Sequence, residues 1–230
     1  MASLSATSPT IVFDLDGTLI DTAPDLVETL NVIFARHHMP PIAYEDARAM
    51  IGAGVKPLLV RGLVSQGKHL PPDEIDQLFE EYLEVYAAHI ADRSRPFPGL
   101  TEALDALAAE GFRLAVCTNK LEWLSVRLLD ALGLSSRFVA VCGQDTFPMK
   151  KPDPEMLRLT IAQAGGDARH AVMVGDSITD VATAKAAGIP VVAVDFGYTE
   201  TPAAQLGADR LISHFSDLPA AVRELLTAAR

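Results

Sequence analysis

The sequence is poor in cysteine, in basic residues and in long apolar runs, and each shortage argues against a class of protein. Two cysteines, Cys117 and Cys142, lie in apolar runs and are expected as buried free thiols rather than as disulfide or metal ligands. Lys and Arg number 19 against 30 Asp and Glu, giving a net charge of −11, so no nucleic-acid surface is expected. No apolar stretch reaches the roughly 20 residues of a membrane span, and residues 1–10 lack the basic and apolar blocks of a signal peptide. We therefore expect a cytoplasmic protein with neither membrane nor nucleic-acid partners.

Short apolar runs alternate with helical patterns along most of the 230 residues, a length that suits one domain or a domain with an insertion. The helical patterns end at glycines such as Gly111 and Gly133, and another begins with Asp153 before Pro154. Strand then helix, repeated, predicts an α/β fold with a doubly wound parallel sheet. The predicted strands cover residues 11–14, 113–118, 138–143, 171–175, 190–195 and, more weakly, 210–213.

The stretch between the first and second of these strands breaks the alternation. Apolar residues recur at helical spacing near both of its ends, around residues 26–37 and 75–86, and no convincing strand lies between them. Prolines and a glycine then mark the return to the alternating pattern. We therefore predict a small all-helical cap domain, residues 21–95, inserted after the first strand of a core domain formed by residues 1–20 and 96–230.

Polar residues follow the ends of four predicted strands, and the carboxyl ends of parallel strands share the edge of the sheet where such folds bind ligands. Four aspartates converging there would repel one another unless a cation compensates them, and oxygen ligands favour Mg²⁺. Asp176 is the best metal ligand beyond the first motif, and Asp180, one helical turn further on, can orient the metal waters or Lys151. The candidate residues are Asp14 and Asp16 after the first strand, Thr118 and Asn119 after the second, Lys151 after the third, and Asp176 and Asp180 after the fourth.

The residue types in this set suit phosphoryl transfer to a carboxylate. A magnesium ion that shares the substrate phosphate would let the anionic Asp14 attack it as a nucleophile. Asp16 is suited to protonate the leaving oxygen and then to deprotonate the hydrolytic water. Lys151 and Thr118 can stabilise charge on the transferring group, and the backbone amide of Asn119 is expected to meet the phosphate.

Within the predicted cap, a short loop carries two glycines, Gly52 and Gly54, that would let it approach a ligand closely. Lys56 follows just beyond them and could meet a carboxylate of the substrate. The alternative is a turn that connects two helices and is followed by a solvated lysine. The sequence leaves both interpretations open.

The four motifs resemble those of the haloacid dehalogenase (HAD) superfamily, and the helical insertion resembles its smaller cap type. Within the superfamily the likeness is greatest to bacterial phosphoglycolate phosphatases, covers almost the whole chain, and is carried by residues 13–24, 51–54, 116–120 and 196–198. The resemblance implies Asp14 as the nucleophile, Asp16 as acid and base, and Thr118 and Lys151 as phosphate binders. It also implies that Mg²⁺ is held by Asp14, the backbone carbonyl of Asp16 and Asp176. The implied substrate is a small anionic phosphate ester, 2-phosphoglycolate, hydrolysed through an aspartyl-phosphate.

Other functions of the superfamily stay open or are disfavoured by particular residues. A dehalogenase is disfavoured because that branch lacks the second carboxylate of the first motif, which is present here as Asp16. Another sugar-phosphate phosphatase, a pyrophosphatase or a phosphomutase stays open, as does the choice between a monomer and a homodimer. A phospho-accepting signalling module is a remote alternative, because receiver domains are shorter and carry no helical insertion.

Overall fold

The main sheet of the protein consists of six parallel strands, whose order is β5-β4-β1-β6-β7-β8. The computed structural model describes residues 8–199 and 201–228. Two further strands, β2 and β3, form a separate antiparallel pair. The α/β fold with a parallel sheet is confirmed. The strands are β1 (Thr10–Phe13), β2 (Ile20–Asp21), β3 (Arg95–Pro96), β4 (Arg113–Cys117), β5 (Ala140–Cys142), β6 (Ala171–Gly175), β7 (Val191–Val194) and β8 (Arg210–Ile212).

Helices cover both faces of this sheet, as a doubly wound fold requires. The strand β1 shows why, since Ile11 and Phe13 pack into one apolar cluster and Val12 into another on the opposite face. Strands buried on both faces have to be apolar throughout, which explains the short continuous runs in the sequence. The helices are α1 (Ala23–Arg36), α2 (Tyr44–Ala49), α3 (Val55–Ser65), α4 (Pro72–Ala88), α5 (Leu100–Ala109), α6 (Glu122–Ala131), α7 (Pro154–Gln163), α8 (Ile178–Ala187) and α9 (Leu218–Ala228).

The ends of several helices carry the signals that the sequence indicated. Asp153 caps α7, because its Oδ1 accepts a hydrogen bond of 2.9 Å from the backbone amide of Glu155. Ser177 and Asp180 form a capping box at the start of α8, each side chain accepting a bond from the other residue's backbone amide. This box fixes Asp180 at the edge of the sheet next to the end of β6.

The segment between β2 and β3 is helical and consists of α1 to α4; we call it the helical segment. Helices were expected near its two ends, and α1 and α4 lie there. The ribbon of β2 and β3 was not expected, because two residues per strand are too few for an alternation to be visible. Its pairing of Ile20 with Pro96 and of Asp21 with Arg95 brings both connections to the core side by side.

A buried aspartate ties the two connections together. Asp25, in the first turn of α1, accepts hydrogen bonds from the backbone amide of Ser94 at 2.7 Å, from its hydroxyl at 2.6 Å and from the amide of Arg93. A carboxylate with several donors of this kind is satisfied although it is buried. The entry and the exit of the helical segment are therefore joined by side-chain bonds as well as by the ribbon.

Two expectations from composition can be compared with the described residues. Cys117 and Cys142 are free and buried, as expected. None of the described helices is both long and apolar enough to cross a bilayer. The expectation about a leader concerns residues 1–10, of which the first seven lie outside the described residues.

Candidate active site

The ends of three adjacent strands, β4, β1 and β6, bring Thr118, Asp14 and Asp176 to the same edge of the sheet. The ladder continues one residue past the strands: the amide of Asp14 donates to the carbonyl of Val174 at 2.9 Å, and that of Thr118 donates to Cys142 at 3.0 Å. The backbone positions of these side chains are thus fixed by the sheet itself. All three residues are buried.

A buried lysine bridges two of the carboxylates. Lys151 Nζ lies 2.8 Å from Asp14 Oδ1 and 2.6 Å from Asp180 Oδ1, and its side chain is 1% exposed. Burial alone would lower the pKa of Lys151, but the carboxylates of Asp14 and Asp180 outweigh it and raise that pKa. Lys151 therefore stays a cation beside Asp14. The sequence predicted a lysine here, and the structure brings it to the expected edge.

Asp176 is held in a fixed orientation by bonds to both of its oxygens. Oδ1 accepts a hydrogen bond from the hydroxyl of Thr18 at 3.0 Å, and Oδ2 accepts one from the amide of Tyr198 at 2.8 Å. Gly17 has a φ of +84°, and a Cβ there would lie 2.5 Å from Asp176 Oδ2. The glycine of the first motif therefore leaves room for this carboxylate as well as allowing the turn.

The three carboxylates of Asp14, Asp176 and Asp180 form one acidic cluster, in which an oxygen of each lies within 4.8 Å of the others. Burial raises the pKa of Asp14 to about 6, against the opposing effect of Lys151 and with a further rise from Asp180. Burial and then repulsion by Asp180 and Asp14 raise the pKa of Asp176 to about 8. Both shifts mean that the metal-free site retains protons, whose place a bound cation would take, and hard carboxylate oxygens fit a divalent cation. The residues present thus suit the metal that HAD phosphatases generally use.

Asp16 is not a member of this cluster but lines the same cavity as Asp14. Its Oδ1 accepts a hydrogen bond from the hydroxyl of Thr22 at 2.8 Å, and Lys120 Nζ lies 3.1 and 3.2 Å from its two oxygens. No role was expected for Lys120 from the sequence. The motif contained this lysine, but nothing in its spacing indicated that the side chain turns inward to become 2% exposed.

Thr118 and Asn119 lie at the expected edge with their side chains directed into it. The Thr118 hydroxyl accepts a hydrogen bond of 3.2 Å from the amide of Lys120. Asn119 donates from Nδ2 to the carbonyl of Lys151 at 3.2 Å, so it also fixes the loop that carries that lysine. Its Oδ1 is buried and has no hydrogen-bond partner among the described residues.

A small cavity of about 30 Å³ lies between this edge and the helical segment. Gly52 and Gly54 line it, together with Asp14, Asp16 and Lys120. The remaining lining comes from both sides and is largely apolar: Leu26, Ile51, Val55, Leu58, Thr118, Asn119, Leu121 and Gln144.

Lys56 is not among the residues that line this cavity. Its ammonium lies 2.6 Å from Asp76 Oδ1 and 4.9 Å from the centre of the Phe79 ring, both on α4. Its side chain is 48% exposed. The structure therefore does not bring Lys56 to the other candidate residues, and its role in binding stays a prediction.

The chain is similar to known proteins over most of its length. The model of the family described as haloacid dehalogenase-like hydrolase matches residues 11–194. A phosphoglycolate phosphatase of Caulobacter vibrioides is 50% identical over 218 residues, which cover 95% of this chain and 92% of that protein. A phosphoglycolate phosphatase of Mesorhizobium japonicum is 48% identical over 96% of this chain and 97% of that protein.

Solved structures resemble the whole fold. A predicted phosphoglycolate phosphatase from Haemophilus somnus superposes with a TM-score of 0.87 at 30% identity, covering 94% of this chain and 99% of that one. CbbY from Rhodobacter sphaeroides, solved in complex with phosphate, superposes with a TM-score of 0.80 at 27% identity, covering 95% and 100%. Both similarities extend through the helical segment as well as the sheet, since nearly the entire chain is covered.

Proposed function

This chain belongs to the haloacid dehalogenase-like hydrolase family, and we propose that it is a phosphatase that hydrolyses 2-phosphoglycolate to glycolate and phosphate. The observation that carries the proposal is the buried ion pair of Lys151 with Asp14 beside the carboxylate of Asp176. It supplies a nucleophile, a fixed positive charge for the phosphate and oxygen ligands for a cation in one place. The names of the curated relatives support the choice of ester.

In the proposed reaction, an oxygen of Asp14 attacks phosphorus and the bond from phosphorus to the ester oxygen breaks. That oxygen takes a proton from Asp16, and an aspartyl-phosphate remains on Asp14. Asp16, now a carboxylate, then accepts a proton from the water that attacks this intermediate, releasing phosphate and restoring Asp14. The hydroxyl of Thr118 and the ammonium of Lys151 stabilise the transferring group throughout.

The proposed metal is Mg²⁺, held by Asp14, the backbone carbonyl of Asp16 and Asp176. When bound, it would reduce the repulsion between the Asp14 carboxylate and the phosphate. Asp180 holds Lys151 through the bond of 2.6 Å, so its role is to orient that ammonium. This ligand set is the one that the resemblance to the family implies, and the carboxylate cluster supports it.

We further propose that residues 21–95 act as a cap domain over a core formed by residues 1–20 and 96–230. The cavity measures about 30 Å³, far below the roughly 300–1,000 Å³ of ordinary small-molecule pockets. Movement of the helical segment away from the edge of the sheet would give a phosphate ester room to enter. The ribbon of β2 and β3 and the adjoining residues 93–99 are the proposed hinge.

The test is phosphate release from a panel of esters with and without Mg²⁺, using Asp14→Asn as the blank. The panel contains 2-phosphoglycolate, several sugar phosphates, pyrophosphate and a phosphomutase substrate. We expect metal-dependent hydrolysis with the highest kcat/KM on 2-phosphoglycolate and none with Asp14→Asn. A higher kcat/KM on another ester would overturn the substrate assignment, and full activity of Asp14→Asn would overturn the mechanism.

A further inference from the structure

Lys120 places a buried positive charge between the core and the helical segment. Its ammonium lies 3.1 and 3.2 Å from the two oxygens of Asp16. It also donates a hydrogen bond of 2.9 Å to the hydroxyl of Tyr86, a residue of α4. Lys120 is the only positively charged residue among the described residues that line the cavity. This side chain therefore joins a core carboxylate to a helix of the segment that covers it.

We propose that Lys120 is a positioning residue that holds Asp16 in the orientation required for proton transfer to the leaving oxygen. The proposal rests on the function proposed above. Asp16 neighbours the acidic cluster, whose charges repel it, and an ammonium in contact with both of its oxygens opposes that repulsion. The hydroxyl of Thr22 fixes Oδ1 from a second side. Because every carboxyl oxygen keeps a lone pair in either protonation state, the ammonium can hold Asp16 before and after the proton moves.

Tyr86 makes the position of this ammonium depend on the helical segment. Its ring centre lies 4.5 Å from Lys120 Nζ, and the hydroxyl accepts the hydrogen bond, so the ring and the oxygen both attract the cation. Tyr86 is fully buried and packs against Tyr82, with 6.0 Å between the ring centroids. Its hydroxyl therefore has a fixed place only while α4 is packed over the core. The acid and base residue is thus fully oriented only when the cap is closed.

The test compares kcat/KM on p-nitrophenyl phosphate, whose leaving group needs no proton, with kcat/KM on an alkyl phosphate hydrolysed by the unmodified enzyme. The variants are Lys120→Met and Tyr86→Phe, and Lys150→Met, an exposed neighbour of the third motif, is the control. We expect Lys120→Met to lower kcat/KM at least about tenfold more on the alkyl ester than on the nitrophenyl ester, because acid catalysis contributes about 10²–10⁴-fold to the rate. Tyr86→Phe should show the same pattern to a smaller extent. An equal loss on both esters, or none on the alkyl ester, would overturn the proposal.

A double variant separates action through Asp16 from action on the phosphate. Adding Lys120→Met to Asp16→Asn should leave the ratio of the kcat/KM values on the two esters unchanged, since the carboxylate that Lys120 orients is already lost. A further change of that ratio would contradict the proposal. The ester panel tests the proposed substrate, whereas this ratio tests the role of Lys120. A failure of the proposed function can therefore be distinguished from a failure of the proposal about Lys120.

A crystal structure of Lys120→Met gives a reading that does not depend on activity. We expect the Asp16 carboxylate to rotate away from the position it has beside Lys120, with circular dichroism and melting temperature showing an intact fold. An unchanged Asp16 would overturn the positioning role. If Lys120→Met does not fold, the structure of Tyr86→Phe decides in its place, because that change removes only one oxygen.

Discussion

Three lysines of the protein carry the same charge in very different surroundings. Lys151 and Lys120 are almost completely buried and contact carboxylates of the first motif. Lys56 lies at the surface and contacts Asp76 of a neighbouring helix. A buried charge interacts more strongly than an exposed one, and removing it leaves its partners uncompensated. Burial therefore separates the two lysines to which we assign a role in the reaction from Lys56, which we expect the reaction to tolerate losing.

Substitution of two of these lysines tests this distinction. We expect Lys56→Met to stay within about twofold of the unmodified kcat/KM, because exposed ion pairs contribute about 0–1 kcal/mol. Lys151→Met should lower kcat by about 10²–10³-fold, the usual cost of removing one charge-stabilising group. The measurement is steady-state hydrolysis of 2-phosphoglycolate by both variants. A tenfold rise of KM in Lys56→Met would instead support the substrate-binding role that its place in the sequence suggested.

At the level of residues, the sequence indicates which side chains come to the edge of the sheet but not what they contact there. Asp14 and Asp176 could be placed because each follows an apolar strand, and parallel strands end together. The contact of Lys120 with Tyr86 could not be predicted. Tyr86 lies 34 residues away on a helix, and the periodicity of that helix does not specify what it packs against. The same holds for Tyr198, whose hydroxyl donates to Asp21 across 177 residues.

The loop at the start of α3 is one of the places where the helical segment meets the core. Gly54 has a φ of +96°, and a Cβ there would lie 3.0 Å from the carbonyl oxygen of Asn119 and 3.2 Å from Gln144 Oε1. Gly52 has a φ of +122°, but a Cβ there would meet nothing within 4 Å. Both glycines thus have a backbone conformation that would strain any other residue. They differ in how closely they approach the core.

The pair Gly54→Ala and Gly52→Ala separates these two effects. Both variants should lose stability to a similar extent, about 1–3 kcal/mol of backbone strain. Only Gly54→Ala should also hold the loop away from Asn119, so we expect its kcat/KM to fall at least about fivefold further, since small misplacements reduce rates strongly. Thermal unfolding and steady-state kinetics of both variants check this. Equal kinetic losses would show that strain, and not closeness to the core, determines the effect.

At the level of elements, long apolar or periodic stretches were predictable and short pairings were not. The six strands of the main sheet and helices α1 and α4 have enough residues to display a pattern. The ribbon of β2 and β3 has two residues per strand, and it forms because the chain on either side is already fixed by the sheet and by Asp25. The ribbon is therefore specified by tertiary contacts and leaves little trace in the sequence.

The whole molecule carries a net charge of −11, and three of its carboxylates are buried together beside one lysine at the site. Such an arrangement is costly unless protons or a cation compensate it. The pKa of Asp14 is about 6 and that of Asp176 about 8 in the folded protein without metal, against an ordinary value of 3.8. Folding, proton binding and metal binding are consequently linked through the same oxygens.

The sign of this linkage gives a test on the intact protein. Between about pH 4 and pH 8 the folded metal-free protein holds protons that the unfolded chain releases, so its free energy of unfolding should fall as the pH rises. Mg²⁺ competes with these protons, and its binding stabilises only the folded state. We expect 10 mM Mg²⁺ to raise the melting temperature more at pH 8 than at pH 5.5, by about 2–8 °C at pH 8 for a stabilisation of about 1–2 kcal/mol.

Asp176→Asn removes one of the charges. The stability of this variant without metal should therefore depend less on pH, and its melting temperature should rise less with Mg²⁺. Asp130→Asn, an exposed substitution on α6, is the matched control and should behave as the unmodified protein. A larger rise of the melting temperature with Mg²⁺ at pH 5.5 than at pH 8 would contradict the linkage, because protons would then favour binding of the cation rather than compete with it. An undiminished response in Asp176→Asn would place the metal away from the carboxylate cluster and remove the basis for the magnesium site.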